Sequence, residues 1–256
     1  MERIAHVVRE IEPHDSVERY TGLGVDVAIG RAKITSPWHV EITKDDGSKQ
    51  TLSTKSIVIA TGAAPFVPPL PGLDDVGYLT SDTLWGLREQ PKRLVVLGGG
   101  PIGCELAQSF ARLGSQVTQI EMLPRIMIRE DEEVSAYAKK ALEADGVTIL
   151  TGHKALRCET RGDVKSIVVE NNGKEISIEF DALLCAVGRS ARLKGFGLEE
   201  LGIAVNRTVQ VNEYLETNFP NILAAGDVAG PYQFTHTAAH QAWYAAVNAL
   251  FGFAKK

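Results

Sequence analysis

The chain has 256 residues, 44% of them hydrophobic, and carries a formal net charge of −5 with a pI near 5.7. A chain of this length and composition can bury a sizeable core, in one large or two medium domains. The acidic balance and the lack of a basic stripe argue against nucleic acid as a partner.

The N-terminal sequence "MERIAHVVREIEPHDS" has neither the apolar core of a signal peptide nor a membrane anchor. No apolar run approaches the ~18 residues that a membrane span requires. The three cysteines, Cys104, Cys158 and Cys185, share no short spacing, which argues against a zinc knuckle, a disulfide scaffold and a CxxC redox pair. These features predict a soluble α/β protein of the cytoplasm without a membrane partner.

The first quarter of the chain begins with two predicted helices and continues with predicted strands. The first twelve residues and "DSVERYTGLG" are predicted to be helical, with Asp15 or Ser16 as the N-cap of the second helix. From Val25 the pattern alternates, which predicts strands in "VDVAIGRAKI", "HVEITKDDGSKQTLS" and "SIVIA", with "DDG" as a hairpin turn. The proline-rich "TGAAPFVPPLPG" is predicted to be an ordered loop, followed by a helical piece around "SDTLWGLREQ".

The middle of the chain alternates strand and helix. The predicted elements are "RLVVL", the helix from Pro101 to Leu113, "QVTQIE", the helix from Glu132 to Asp145, and "VTIL". This order predicts a parallel, doubly wound sheet, because right-handed crossovers return each strand to the same sheet.

The remaining segments predict a β-meander and a final helix. "KALRCET" and "VKSIVVENNGKEISIEF" form the meander, with "NNG" as a hairpin turn. Further short strands are predicted in "ALLCAVG", "TVQVNEY" and "NILAAGD", and a long helix from Phe234 to Phe251.

A glycine motif, G-x-G-x-x-G, lies between the strand "RLVVL" and the helix that begins at Pro101 and Ile102. Gly98 allows the tight turn, Gly100 lets a pyrophosphate approach the backbone, and Gly103 lets the helix pack closely on the strand. The helix N-terminus then offers free N–H groups and a positive dipole end to phosphates, and proline is well placed there. The motif in this context predicts a dinucleotide site.

An acidic residue, Glu121, ends the next strand, 21 residues after Gly100. A carboxylate at that position accepts hydrogen bonds from the adenine ribose hydroxyls and repels a 2′-phosphate, which favours NAD over NADP. Arg125 and Arg129 follow shortly and offer an alternative, a contact with a 2′-phosphate. We favour their interpretation as solvated charges next to the start of a helix.

Four ordered segments, "IVIATGAAPFVPPLPG", "LVVLGGGPIGCELAQSFARLGSQVTQIE", "AVGRSARLKGFGLEELGI" and "TNFPNILAAGDV", resemble the pyridine nucleotide-disulfide oxidoreductases. The resemblance covers essentially the whole chain. The ending "FTHTAAHQAWYAAVNALF" is most similar to the branch that contains mercuric reductase and dihydrolipoamide dehydrogenase.

The resemblance implies a Rossmann-like NAD(P)-binding domain at residues 91–212, and a discontinuous, partial FAD-binding domain of the same type at 1–90 and 213–256. It implies hydride transfer from NAD(P)H to FAD and on to a cysteine pair and a disulfide or metal substrate, in a homodimeric enzyme. Glu105 matches the carboxylate beside flavin and nicotinamide, which is normally paired with a lysine. The other matching positions contact or approach the cofactors: Thr61, Gly62, Gly188, Arg189, Gly226 and Asp227.

The sequence also departs from the family pattern. The first glycine motif for FAD, the Cys-x-x-x-x-Cys redox pair and the C-terminal dimerisation domain with its His–Glu pair are not present in these residues. We therefore expect a truncated chain that does not turn over by itself and whose Glu105 lacks its lysine. Two alternatives stay open: a stand-alone NAD-binding module, and a relative of the flavin-dependent NADH oxidases or ferredoxin reductases.

The cysteines and a pair of histidines could in principle be reactive or bind a metal, but we predict structural roles for both groups. The three cysteines are predicted to be small apolar core residues. His236 and His240 stand four apart on a predicted helix, a spacing that can hold zinc, but the sequence offers no third ligand. We predict no metal site.

Overall fold

The computed structural model describes residues 1–252, and these form seven α-helices, fourteen strands and three short 3-10 helices. The α-helices are α1 (Glu2–Ile11), α2 (Val17–Gly22), α3 (Leu73–Val76), α4 (Pro101–Arg112), α5 (Glu132–Ala144), α6 (Leu198–Leu201) and α7 (Thr235–Phe251). The strands are β1 (Arg31–Ser36), β2 (His39–Thr43), β3 (Lys49–Ser53), β4 (Ile57–Ile59), β5 (Ala63–Pro65), β6 (Arg93–Leu97), β7 (Gln116–Glu121), β8 (Thr148–Thr151), β9 (Lys154–Arg161), β10 (Val164–Asn171), β11 (Lys174–Phe180), β12 (Ala182–Cys185), β13 (Arg189–Ala191) and β14 (Ile222–Ala224). The 3-10 helices are Glu12–Asp15, Leu84–Gly86 and Gly226–Val228.

The chain divides into two compact units, each built from two separate segments. The first unit contains Met1–Glu10 and Pro65–Arg189, and the second contains Ile11–Ala64 and the chain from Ser190 onward. The assignment of cofactor domains to residues 1–90, 91–212 and 213–256 stays a prediction.

The first unit contains a four-stranded parallel sheet with the order β12-β6-β7-β8. The chain runs β6-α4-β7-α5-β8, so the predicted α/β class with a parallel sheet and alternating strands and helices is confirmed. Strand β6 is buried at four successive residues, Leu94 to Leu97, as is typical of a parallel sheet with both faces covered. Helix α4 buries Gly103, Cys104, Ala107 and Phe110, which lie on one face at helical spacing.

The predicted meander is a three-stranded antiparallel sheet with the order β11-β10-β9. Its "NNG" turn has positive φ at Asn172 (52°) and Gly173 (78°), two residue types that tolerate this conformation. The side chains of β10 and β11 join β6, β7 and β12 in one apolar cluster that includes Ile167, Val169 and Phe180.

The second unit contains an antiparallel sheet, β1-β2-β3, and a parallel pair, β4 and β14. The "DDG" hairpin turn lies between β2 and β3, and its Gly47 has φ of 81°. Ser16 is the N-cap of α2, because its hydroxyl accepts a hydrogen bond from the Arg19 N–H. Helix α7 begins at Thr235, one residue after the predicted start at Phe234, and ends at Phe251 as predicted.

Three predicted elements are wrong or shorter than expected. The segment "VDVAIGRAKI" becomes a strand only at Arg31, where the pairing with Thr43 begins. The segment "SDTLWGLREQ" contains only the 3-10 helix Leu84–Gly86, and "TVQVNEY" contains an isolated bridge at Val209 rather than a strand.

Within residues 1–252, no helix is both long enough and apolar enough to cross a membrane.

Candidate functional site

The glycine loop after β6 takes its shape from close backbone contacts. Gly98 has φ of 113°, and a Cβ at this position would lie 2.4 Å from the carbonyl oxygen of Ala186. A Cβ at Gly103 would lie 2.3 Å from the carbonyl oxygen of Gly98. These distances are shorter than real Cβ contacts, so only glycine fits at the two positions.

Gly100, between these two glycines, lies in open space. A Cβ built on it meets no heavy atom within 4 Å, and its backbone is extended, with φ of −77° and ψ of 179°. No internal contact therefore requires glycine at this position. The open space on this side of the loop is where a phosphate group fits against the backbone.

Helix α4 starts directly at this open space. Gly100 is its N-cap, Pro101 is its first residue, and no side chain caps the helix. The first-turn N–H groups, including those of Ile102 and Gly103, have no carbonyl partner within a helix. A bound anion supplies the missing acceptors and interacts favourably with the helix dipole, so the residues present fit a dinucleotide phosphate.

The Glu121 carboxylate lies against the glycine loop. Its Oε2 accepts a hydrogen bond from the Gly99 N–H at 2.6 Å, and its Oε1 accepts one from the Leu123 N–H at 2.8 Å. A carboxylate has about four lone-pair positions, so two remain for hydroxyl donors. The structure thus brings Gly98, Gly100, Gly103 and Glu121 together at the carboxyl edge of the parallel sheet.

The segment after β7 folds around Arg125. The Arg125 guanidinium donates to three backbone carbonyls, those of Met127 (3.3 Å), Ile128 (3.2 Å) and Glu130 (2.8 Å). The Met127 N–H in turn donates to the carbonyl of Gly99 at 2.7 Å. The Arg125 guanidinium is therefore used by its own loop, which also contacts the glycine loop.

A buried glutamine behind the loop, Gln119, was missed by the sequence analysis. Its side chain is fully buried, and its Nε2 donates to the carbonyl of Gly98 at 3.0 Å. Its Oε1 is the one buried side-chain oxygen or nitrogen without a hydrogen-bond partner in residues 1–252. The pattern that could have indicated it is a glutamine inside a strand whose parallel sheet is covered on both faces.

Gly188 and Arg189 follow β12 at the same edge of the sheet as Gly98. Gly188 has φ of 130°, and its carbonyl accepts a hydrogen bond from the Phe66 N–H at 2.9 Å. The Arg189 guanidinium lies 3.6 Å from a carboxylate oxygen of Asp82 and 3.3 Å from the Ser81 hydroxyl. Both predicted residues thus follow the strand next to β6.

Glu105 lies in the second turn of α4 and is exposed. Pro101 and Ser109 are also exposed and share its helix face, because residues four apart lie above one another. The Glu105 carboxylate is therefore accessible to solvent.

The second unit brings together four other predicted residues. Gly62 and Gly226 follow the parallel strands β4 and β14, and both have positive φ, 66° and 79°. The Gly226 N–H donates to the Gln241 side chain at 2.7 Å, while the Thr61 hydroxyl donates to the Arg192 carbonyl at 2.9 Å. Asp227 is half-buried in the 3-10 helix that follows β14.

The three cysteines are buried in the first unit and unbonded to one another. Burial raises the pKa of Cys104, and it raises the pKa of Cys158 to about 11 and that of Cys185 to about 12. The reactive thiolate form is therefore disfavoured at neutral pH. In the described part of the chain, no group of three His, Cys, Asp or Glu side chains is placed to hold a metal ion.

Comparison with known proteins identifies the family. The sequence model of the pyridine nucleotide-disulphide oxidoreductases matches residues 2–242. The chain belongs to this family. Its predicted Rossmann-like fold and its two cofactors, a pyridine nucleotide and a flavin, are thereby confirmed at the level of the family.

Both enzymes named for the predicted branch are represented among the relatives. The chain is 38% identical over 245 residues to a mercuric reductase of Bacillus cereus, covering 93% of this chain and 38% of that protein. It is also 38% identical over 235 residues to a dihydrolipoyl dehydrogenase of Thermus scotoductus, covering 89% of this chain and 49% of that protein. The chain thus spans less than half of the length of these two curated relatives.

A solved relative has the same fold over the full length of the chain. A Cu(II) complex of a mutant of the HOCl-induced flavoprotein disulfide reductase RclA from Escherichia coli superposes with a TM-score of 0.90 at 30% identity. The match covers 100% of this chain and 57% of that one.

Proposed function

We propose that the first unit binds a pyridine dinucleotide, with its pyrophosphate over Gly100 and the N-terminus of α4. The observation that carries this proposal is the open space at Gly100, which lies between two glycines whose backbones are in close contact. Free N–H groups of the first turn face an anion at this place, and the Glu121 carboxylate lies beside the loop.

The preferred dinucleotide is NAD. The Glu121 carboxylate keeps acceptor positions for ribose hydroxyls and repels a 2′-phosphate. The Arg125 guanidinium, which offers the alternative of a contact with that phosphate, already donates to three carbonyls of its own loop.

The flavin belongs to the second unit in this proposal. Thr61 and Gly62 lie near FAD, and Asp227, after Gly226, binds the ribityl chain. Two parallel strands that are followed by glycines with positive φ support this assignment, because glycines without side chains leave room at the carboxyl edge. Residues 91–212 then correspond to the NAD domain, and 1–90 with 213–256 to parts of the FAD domain.

The whole protein is proposed to be a flavoprotein disulfide reductase that acts as a homodimer. The nicotinamide supplies a hydride and the flavin accepts it. In the whole protein, Glu105, Gly188 and Arg189 would be the residues of the first unit that approach the nicotinamide. None of the three cysteines suits the redox pair, because all are buried and their pKa is raised. The 256 residues alone are therefore expected to bind dinucleotide without reducing a disulfide.

Two alternative functions can be distinguished from this proposal by the flavin absorption of the purified chain and by its consumption of NADH. A stand-alone NAD-binding module is colourless when purified, whereas a chain that retains FAD is yellow. A relative of the NADH oxidases or ferredoxin reductases consumes NADH with oxygen or an artificial acceptor and needs no cysteine pair.

The test of the proposed site is an NADH titration of the purified chain, followed by nucleotide fluorescence. Gly100→Ala places a methyl group where the pyrophosphate lies, so we expect the affinity for NADH to fall about tenfold or more. The fold is expected to persist, because no heavy atom lies within 4 Å of the new Cβ. Gly86→Ala is the matched control, since that glycine also has no neighbour within 4 Å.

The same titration tests the choice of cofactor. NADPH should bind at least about tenfold more weakly than NADH. Equal affinity of the Gly100→Ala variant and the wild type would contradict the proposed phosphate site, and a preference for NADPH would contradict the role of Glu121.

A further inference from the structure

Gln119 is a polar residue at a fully buried position of β7. Its neighbours Val117 and Ile120 are buried, and its own side chain has no exposed area. The amide Nε2 donates to the Gly98 carbonyl at 3.0 Å and lies 3.5 Å from the Cys104 Sγ. The amide Oε1 has no partner among the described residues. The opposite amide orientation would place this oxygen against the Gly98 carbonyl, where neither atom can donate.

The Gly98–Gly99 peptide is hydrogen-bonded at both of its ends. Its carbonyl accepts from the Gln119 amide behind the loop, and its N–H donates to the Glu121 carboxylate at 2.6 Å. Gln119 and Glu121 are two residues apart on the same strand. Together they fix the orientation of this peptide plane.

The next peptide, Gly99–Gly100, is fixed through its carbonyl. That oxygen accepts from the Met127 N–H at 2.7 Å and from the Cys104 thiol at 3.5 Å. In a trans peptide the C=O and the N–H point in opposite directions. The Gly100 N–H therefore points away from these donors, and it has no hydrogen-bond partner in residues 1–252. This is the N–H that lies at the proposed phosphate position.

The unpaired oxygen of Gln119 is unfavourable for folding. A buried polar atom without a partner lowers stability, whereas an apolar side chain of the same size fills the space without this penalty. Local features that oppose stability concentrate at functional sites. The contact that Gln119 does make is to the glycine loop, and the function of that loop accounts for the glutamine.

We infer that Gln119 is a positioning residue for dinucleotide binding: its amide holds the Gly98 carbonyl and so orients the loop whose next N–H groups face the pyrophosphate. The inference rests on the proposed dinucleotide site. The inference predicts opposite effects of Gln119 on two quantities. Its hydrogen bond to Gly98 raises the affinity for the dinucleotide, whereas its unpaired buried oxygen lowers the stability of the fold.

The first test replaces the amide by an apolar side chain of similar length. Gln119→Met keeps the volume, removes the unpaired oxygen and cannot donate to Gly98. We expect NADH affinity to fall about tenfold, as for the loss of one hydrogen bond, while the urea midpoint stays equal or rises. The matched control is Gln116→Met, the same change at an exposed position of β7 that should alter neither quantity.

The second test makes the hydrogen bond depend on pH. In Gln119→Glu, only the protonated carboxyl can donate to the Gly98 carbonyl, and the ionised form repels it. Relative to the wild type at the same pH, NADH affinity of this variant should be close to normal at about pH 6 and at least tenfold weaker at about pH 9. A residue that only fills space gives no such recovery.

The outcomes separate the two proposals. If the wild type binds no NADH, the proposed function fails. If the wild type binds and Gln119→Met binds equally well, the role of Gln119 is refuted while the dinucleotide site stands. If Gln119→Met loses both stability and affinity, Gln119→Glu decides: recovery at low pH supports the inference, and the lack of recovery overturns it.

Discussion

Two strands of parallel pairing are closely followed by a glycine, β6 by Gly98 in the first unit and β14 by Gly226 in the second. The two glycines are required for different reasons. A Cβ on Gly98 would lie 2.4 Å from a backbone oxygen, whereas a Cβ on Gly226 would lie 3.4 Å from the Ala238 Cβ, an ordinary contact. Gly226 is favoured by its φ of 79° alone.

The different surroundings of Gly98 and Gly226 reflect different structures at the carboxyl edges of the two parallel sheets. In the first unit, backbone segments contact each other around the loop, and a long helix, α4, begins directly after Gly100. In the second unit, a three-residue 3-10 helix follows β14, and the Gly226 N–H donates a hydrogen bond to the Gln241 side-chain oxygen. We therefore expect substitutions to be tolerated much better at the second edge.

The largest expected effect is that of Gly103→Ala. The new Cβ would lie 2.3 Å from the Gly98 oxygen, which is backbone and cannot move aside without shifting β6 or α4. We expect a loss of about 4 kcal/mol in the free energy of unfolding, an exceptional value for one substitution. Urea unfolding followed by circular dichroism measures it. A loss as small as that at Gly226 would show that the loop is not built by close contact.

An intermediate effect of alkaline pH is expected from the buried cysteines, all three of which lie in the first unit. An unfolded thiol ionises near pH 9.0, whereas burial raises the pKa of Cys158 to about 11. The thiol therefore loses its proton first in the unfolded state, so the contribution of Cys158 to stability is present below about pH 9 and declines as the pH rises towards about 11. The Cys158 contribution lost by about pH 11 amounts to ~2 kcal/mol.

Urea unfolding at about pH 8 and about pH 11 measures this decline, and Cys158→Ala is the comparison variant. The variant should lose less stability than the wild type over the same interval, because the groups that titrate elsewhere are shared. An equal decline in both proteins would contradict the assignment to Cys158.

The smallest effect is expected at Gly226. Gly226→Ala introduces a side chain at positive φ, which costs about 1–2 kcal/mol, and meets only the Ala238 methyl group. Gly226→Asn should be less unfavourable, since asparagine enters this conformation more readily. Comparing the urea midpoints of the two variants checks this, and a larger loss with Asn would indicate a steric rather than a conformational requirement.

The parts of the fold that the sequence predicts best are those in which local pattern and tertiary environment agree. The alternation from β6 to β8 has strands with buried apolar residues, a glycine turn and helices with one apolar face, and every element lies within one residue of its predicted bounds. The same holds for the "NNG" and "DDG" turns, whose glycines have positive φ. At these positions the residue type alone is sufficient to predict the local backbone conformation.

Prediction failed where pairing depended on a partner strand. The residues before Arg31 alternate like a strand, but the ladder with β2 begins only at the Arg31–Thr43 pair. At "TVQVNEY", the Asn212 side chain accepts hydrogen bonds from the N–H groups of Tyr214 and Glu216, which replaces a ladder by a local turn. A β-pattern shows that a segment can pair, and it does not supply the partner.

In the site, the glycines and Glu121 were predictable because their chemistry is tied to a motif. Gln119 was not, since it belongs to no motif, and a glutamine within a strand does not indicate which atom its side chain contacts. The parallel sheet is buried at Gln119, and only the structure shows the carbonyl that it contacts. Side chains that support a motif from behind leave little trace in the sequence.

The hydrogen bond from the Met127 N–H to the Gly99 carbonyl has a consequence for altering cofactor preference. Redesign for NADP replaces the acid at the end of β7 and adds cations in the following segment. Here that acid is also the acceptor for the Gly99 N–H, and that segment is also a donor to the same glycine. Exchanging the ribose-recognition residues one at a time would therefore loosen the pyrophosphate loop, so a successful redesign must transplant residues 121–130 as a block.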